Sequence, residues 1–193
     1  MRAIDLVRGR QKAVTASLLS AVEAVRGLDL ATPVLAGTSP LGLTLWHVPR
    51  TQDWLVQTCL RGETEVAEAH LDGLPDPERF GFGTGLTPEG AAEAAAAVRL
   101  DRLAAYAQAV GETIDAWLAT LDDADLDAVP PFDDRQRSRR AYSTPGALAE
   151  VAGLGGLPAG TLLVRPAFGH VLRHLGEVDV LAPYARARTR GAN

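Results

Sequence analysis

One cysteine, one lysine and no Glu-x-x-His motif are the informative scarcities of this 193-residue chain. Cys59 has no second thiol to pair with, so no intrachain disulfide holds the fold and an oxidising compartment offers it no stabilisation. Lys12 is the single lysine beside eighteen arginines, a bias that fits a GC-rich genome better than any physical demand. With a net charge of −5, the chain offers no basic face able to displace counterions from phosphates, and nucleic acid is not an expected partner. The missing Glu-x-x-His removes the motif through which di-iron carboxylate bundles supply ligands. An apolar leader is missing too: Met1-Arg2-Ala3-Ile4-Asp5 opens a segment that carries charges through Arg10. The longest uncharged stretch, residues 30–49, is interrupted by Pro33, Gly37, Pro40, Gly42, His47 and Pro49, unlike a membrane helix. The expectation is a soluble cytoplasmic protein with no membrane partner.

What is present is helical periodicity. At 47% hydrophobic residues the chain can bury one sizeable core and does not demand two, so a single domain over residues 1–193 is expected. Residues 3–26 place Leu6, Ala13, Leu18, Val22 and Val25 on a broad apolar face, with Gly27 positioned to end the helix. A second helix is predicted over 39–61, with Ser39 as cap, Pro40 in the first helical position and Gly62 as the stop. Pro49 lies inside this span and should bend it. Between Gly62 and Thr87 the chain carries Gly73, Pro75, Pro77, Gly81, Gly83 and Gly85, with Phe80 and Phe82 among them. A connection of that length is expected to cover the mouth of a cavity and to be the first place to look for substrate recognition.

Thr87-Pro88-Glu89 opens a third predicted helix over 88–121. Its Ala96, Leu100, Leu103, Ala107, Val110, Ile114, Trp117 and Leu121 alternate at spacings of four and three, the seam of helices packed at a shallow angle. Asp122, Asp123, Asp125 and Asp127, then Pro130-Pro131, then Arg135, Arg137, Arg139 and Arg140 read as a solvated, charge-compensated connection. A fourth helix is predicted over 159–181, kinked at Pro166 and followed by a frayed tail from Pro183. No strand-period alternation and no internal repeat are present, so the expected fold class is all-α, a four-helix bundle.

The histidines carry the chemistry. His170 and His174, four apart, lie about 40° apart around a helix and roughly 6 Å along it, so both rings can turn to one point on the buried stripe. His47, from the second helix, would complete three nitrogen ligands, and three protein ligands leave a position open for water or substrate. The competing reading is of histidines that only hydrogen-bond within the core. Glu177 shares the face of His170 about 10 Å farther along the axis, which suits a supporting or base role better than ligation. Arg50 lies near the His47 face, either to meet an anionic group on a ligand or to pair with Asp53. Trp54 faces the same interior, for core packing or for substrate stacking. His70 reads as a surface residue, and Cys59 as an ordinary small buried side chain.

The segments Trp46-His47-Val48-Pro49-Arg50-Thr51-Gln52-Asp53-Trp54 and Gly169-His170-Val171-Leu172-Arg173-His174-Leu175-Gly176-Glu177-Val178-Asp179 resemble the DinB/YfiT-like superfamily. That resemblance implies a four-helix bundle with one divalent metal ion held by a histidine from the second helix and two from an HxxxH on the fourth, here His47, His170 and His174. Zinc, nickel and iron all occur in the family, and three imidazoles do not choose among them. It further implies S-transfer or isomerisation with a low-molecular-weight thiol such as mycothiol or bacillithiol, toward which the GC-rich composition tilts the reading. The second implied chemistry is metal-dependent hydrolysis with Glu177 as base. A reading from another class is a non-catalytic metal- or small-ligand-binding bundle. A small-molecule substrate is the expected partner, with a homodimer through a leftover apolar helical face as a further expectation.

Overall fold

The structure, a computed structural model, describes residues 2–191, and among these it contains helices and turns but no strand. In chain order the helices are α1 (Ala3–Ala24), α2 (Leu41–Asp53), α3 (Pro77–Phe80), α4 (Pro88–Ala96), α5 (Leu100–Leu118), α6 (Phe132–Ser138), α7 (Pro145–Glu150), α8 (Ala159–Leu162) and α9 (Val171–Gly191). Two π-helical stretches join this set: Trp54–Arg61 continues α2, and Leu163–His170 leads from α8 into α9. No helix among the described residues is long and apolar enough to cross a membrane.

Along the core α1 packs on α5 and α2 on α9, while α1 also meets α9 and α2 also meets α5. The α1–α5 approach is close enough that a Cβ on Gly111 would stand 2.5 Å from Thr15 Oγ1. On its other side α2 is covered by α4, where a Cβ on Gly42 would lie 2.8 Å from the Ala95 carbonyl oxygen. All 13 residues of α2 are therefore buried. Leu41, Leu45, Trp46 and Val48 each gain the burial energy of a core side chain, about 1.5–3 kcal/mol. The polar members, Thr44, His47, Arg50, Thr51, Gln52 and Asp53, have no solvent-facing side and must find partners inside. Gln52 does so by donating to Gln11 Oε1 and to the Ala167 carbonyl, both at 3.1 Å, which ties α2 to α1 and to the π-helical stretch before α9.

Four expectations are corrected. The predicted helix over 88–121 is two helices: Arg99 is extended, and its N–H leaves the helical ladder to donate to the Gly73 carbonyl at 2.9 Å. The seam holds from Leu103 through Ile114, but Ala96 is exposed and Leu118 replaces Trp117 as the buried residue. At the start of α2 Pro40 is the N-cap without a side-chain bond, so Ser39 does not cap it; Thr87 does cap α4, accepting from the Gly90 N–H at 3.2 Å. The last helix runs through Pro183 to Gly191 rather than fraying. Pro183 sits on the exposed side, where water reaches the carbonyl it frees, while Leu181, Ala182 and Ala185 stay buried. Arg188 Nη1 reinforces this end by donating to the Pro33 and Val34 carbonyls, each at 3.0 Å. Finally, the 122–140 connection and its sequel are folded back on α2: Phe132, Gln136 and Tyr142 are buried, and Arg135 caps the first π-helical stretch through the Cys59 and Leu60 carbonyls.

A candidate metal centre and its cavity

Both ligand-bearing helices carry a proline and a π-helical stretch close to their histidines. Each π turn takes in an extra residue and so rotates the downstream face by about 100° relative to an unbroken α-helix. His170 is the last residue of the second stretch and His174 follows one α-turn later. Three rings meet there: His47 Nε2, upstream of the first stretch, lies 3.0 Å from His170 Nε2, and His174 Nε2 lies 3.1 Å from the same atom. One ligand nitrogen from each residue falls within 4.8 Å of the others. Two nitrogens bound at about 2.1 Å to one ion are separated by about 3.0–3.4 Å, depending on the bond angle. His47, His170 and His174 could therefore hold a metal ion.

The outer ring nitrogens decide which lone pairs are available. His47 Nδ1 faces the Phe82 carbonyl oxygen, an acceptor only, so Nδ1 carries the proton and Nε2 presents a lone pair to the centre. His174 Nδ1 faces a carboxylate oxygen of Glu177 at 2.8 Å and has the same tautomer. His170 differs: its Nδ1 accepts from Arg173 Nη2 at 2.9 Å, which leaves the ring proton on Nε2, between the other two lone pairs. Two of the three histidines thus stand in the ligand tautomer, and the third reaches it by moving its proton to Nδ1. Burial, reinforced by neighbouring His174, pushes both His47 and His170 down to about 4, against the pull of the Phe82 carbonyl on the former. Both are neutral near pH 7, the state that ligation requires.

A cavity of about 590 Å³ opens beside His47 and His170. Its apolar wall includes Trp54 and Phe82, stacked with ring centroids 4.5 Å apart, and Leu154 and Val164. Arg165 and Arg173 supply positive charge and Glu150 the only carboxylate of the lining. A smaller pocket of about 260 Å³ reaches all three histidines past Ser39, Thr44 and Gly83. The glycine-rich connection contributes Phe82 and Thr84 to the larger wall, and Gly83 turns the chain there at φ +88 with its Cα facing the rings of Trp46 and His47.

Of the residues singled out from sequence, Trp54 lines this cavity, while Arg50 does not. Arg50 is fully buried elsewhere, with Nη1 donating to Asp53 at 3.2 Å and to the Tyr106 hydroxyl at 3.0 Å, and Nη2 donating to Glu65 at 2.9 Å and to the Tyr142 hydroxyl. The guanidiniums at the cavity are Arg165 and Arg173. Glu177 sits on the outer nitrogen of His174, away from the centre. His70 is half-buried against the Tyr106 ring and is not part of the cluster, and Cys59 is buried, with burial raising its thiol well above the ordinary range. Arg165, Arg173 and Glu150 escaped sequence reading, whereas Phe82 lies in the glycine-rich connection expected to cover a cavity mouth. Arg173 alone carried a signal, its place inside the HxxxH interval. Comparison of the chain with protein-family models, curated proteins and solved structures finds no match.

Proposed function

We infer that this protein is a divalent-metal-dependent enzyme of the DinB/YfiT-like type that transfers or isomerises a substrate with the help of a low-molecular-weight thiol such as mycothiol. The convergence of three imidazole Nε2 atoms at 3.0 and 3.1 Å, two of them oriented from behind by Phe82 and Glu177, carries this reading. The mutual packing of α1, α2, α5 and α9 supports a four-helix bundle of that type. When bound, a divalent ion would keep a thiol deprotonated near neutral pH at its open position. The chain's own residues do the rest: Phe82 and Glu177 hold the ring tautomers, and Trp54 and Phe82 form an apolar wall beside the centre.

Transfer is preferred to hydrolysis on two observations. The cavity of about 590 Å³ and the adjoining pocket of about 260 Å³, which share His47, Thr84, Glu150, His170 and Arg173, together leave room for two reactants beside the histidines. Glu177, the carboxylate a hydrolase would use as base, is already engaged with His174. The test is elemental analysis of untagged protein purified without chelator, with His47→Ala and His170→Ala alongside, followed by assay of the loaded protein with thiols and electrophiles. About one divalent ion per chain, lost in both variants, with thiol-dependent turnover, is the expected result. Protein that retains no metal even after reloading would overturn the metal reading, and metal without turnover would leave a non-catalytic binding bundle.

A further inference from the structure

The cavity is charged in a way that metal binding alone does not call for. Two guanidiniums, Arg165 and Arg173, and a single carboxylate, Glu150, line a wall that is otherwise largely apolar. Neither arginine forms an ion pair with a carboxylate among the described residues. Arg173 is exposed and spends its one side-chain hydrogen bond on His170 Nδ1. That bond is compatible only with a His170 ring whose proton is on Nε2, as the positions of His47 and His174 also require.

With an ion held at Nε2, His170 would stand as the neutral Nδ1–H tautomer, one proton leaving Nε2 and one taken up at Nδ1, so that no net proton would be gained or lost. A protonated Nδ1 cannot accept from a guanidinium, and the contact with Arg173 turns from attraction to a clash of two donors. Arg173 lines both the cavity and the smaller pocket beside the histidines.

The geometry points to Arg173 as the anion-binding residue of this cavity, released from His170 when the histidines take a metal ion, with a small carboxylate bearing an aromatic or alkyl body as its ligand. The apolar body lies on the stacked Trp54 and Phe82, the carboxylate meets Arg173, and Arg165 adds to the field at the cavity mouth. A guanidinium is suited to this because it binds a carboxylate through two parallel N–H donors. The cavity's size falls within the range of small-molecule sites, about 300–1,000 Å³. This inference rests on the metal reading above and adds the substrate class to it.

The test compares phenylacetate with its neutral isostere phenylacetamide by calorimetry, with Trp fluorescence as a second readout. Wild type and Arg173→Gln are each measured zinc-loaded and metal-free, and zinc content is determined on every sample. In zinc-loaded wild type phenylacetate should bind about tenfold more tightly than the amide, the size of one charge-assisted hydrogen bond. Arg173→Gln should bring the ratio close to unity with zinc content unchanged, and metal-free wild type should show a smaller ratio than the loaded protein. Equal binding of the two probes to loaded wild type, or no binding of either, overturns the subsite while leaving the metal site standing. A preference that survives in Arg173→Gln overturns the role of Arg173, since it assigns the carboxylate to the ion or to Arg165. Equal ratios with and without zinc overturn the release from His170. Failure of the metal reading shows separately, as absence of zinc; the exchange then falls with it, and the metal-free comparison of wild type with Arg173→Gln decides the anion subsite.

Discussion

His47 and Arg50 stand three residues apart on α2, both buried, and their surroundings differ in kind. Around Arg50 donors and acceptors are matched: Tyr106 accepts from Arg50 and donates to Asp53 at 2.8 Å, and Tyr142 accepts from Arg50 and donates to Glu65 at 2.7 Å. Asp53 also takes the N–H groups of Val66 and Ala67, and Glu65 the Thr58 hydroxyl, so that only Arg50 Nε is left without a partner in this cluster. Around His47 the inner nitrogens of three rings face one another with a single proton to share, beside an open cavity. Buried polarity therefore marks two different things on one helix. A matched cluster closes off from solvent and stiffens the fold, whereas an excess of lone pairs with access from outside is a place for a ligand.

Removing the guanidinium should break this contrast most strongly. Arg50→Met leaves Asp53 and Glu65 buried without a cation and should cost about 3–5 kcal/mol in urea unfolding. A loss below about 1 kcal/mol would show that the cluster does not stiffen the fold.

Acid separates the two regions by window, in protein kept metal-free with chelator. His47 is held near 4 by burial, against 6.5 when free, so between those values the unfolded chain takes a proton that the folded chain refuses. Stability should fall as the pH drops from 6.5 toward 4, by an amount on the order of 3 kcal/mol from His47. His47→Gln, which keeps a donor for the Phe82 carbonyl, should flatten this limb, and an unchanged limb would sink the assignment. The smallest effect belongs to Glu65. Burial works against its ionisation, but Arg50, Thr58 and Tyr142 outweigh it and hold the carboxyl below its ordinary 4.5. Its contribution is present above 4.5 and lost as the pH falls through the lower folded value. The stability difference between wild type and Glu65→Gln, about 1–3 kcal/mol at pH 7, should shrink below pH 4.5; a constant difference would contradict the shift.

Much of the fold was legible because helical periodicity is local. The ends of α1 and of the α2 continuation at Gly62, the Thr87 cap and the seam from Leu103 to Ile114 all follow from spacings within one turn or one heptad. The break between α4 and α5 was not legible, since it depends on the Gly73 carbonyl arriving from a distant loop. The same holds for Arg50: its pairing with Asp53 at i+3 was in view, but Glu65, Tyr106 and Tyr142 come from three separate segments.

For the candidate site, the HxxxH spacing put His170 and His174 in view as a helical pair, and His47 joined them as a candidate from the second predicted helix and by the resemblance of its segment. Only the packed structure decided which nitrogen of each ring faces inward, through Phe82, Glu177 and Arg173, and which guanidinium stands at the cavity. The physical reason is that a side chain's residue type and helical face are local properties, whereas its protonated nitrogen and its charge partner are chosen by whatever the rest of the chain folds against it.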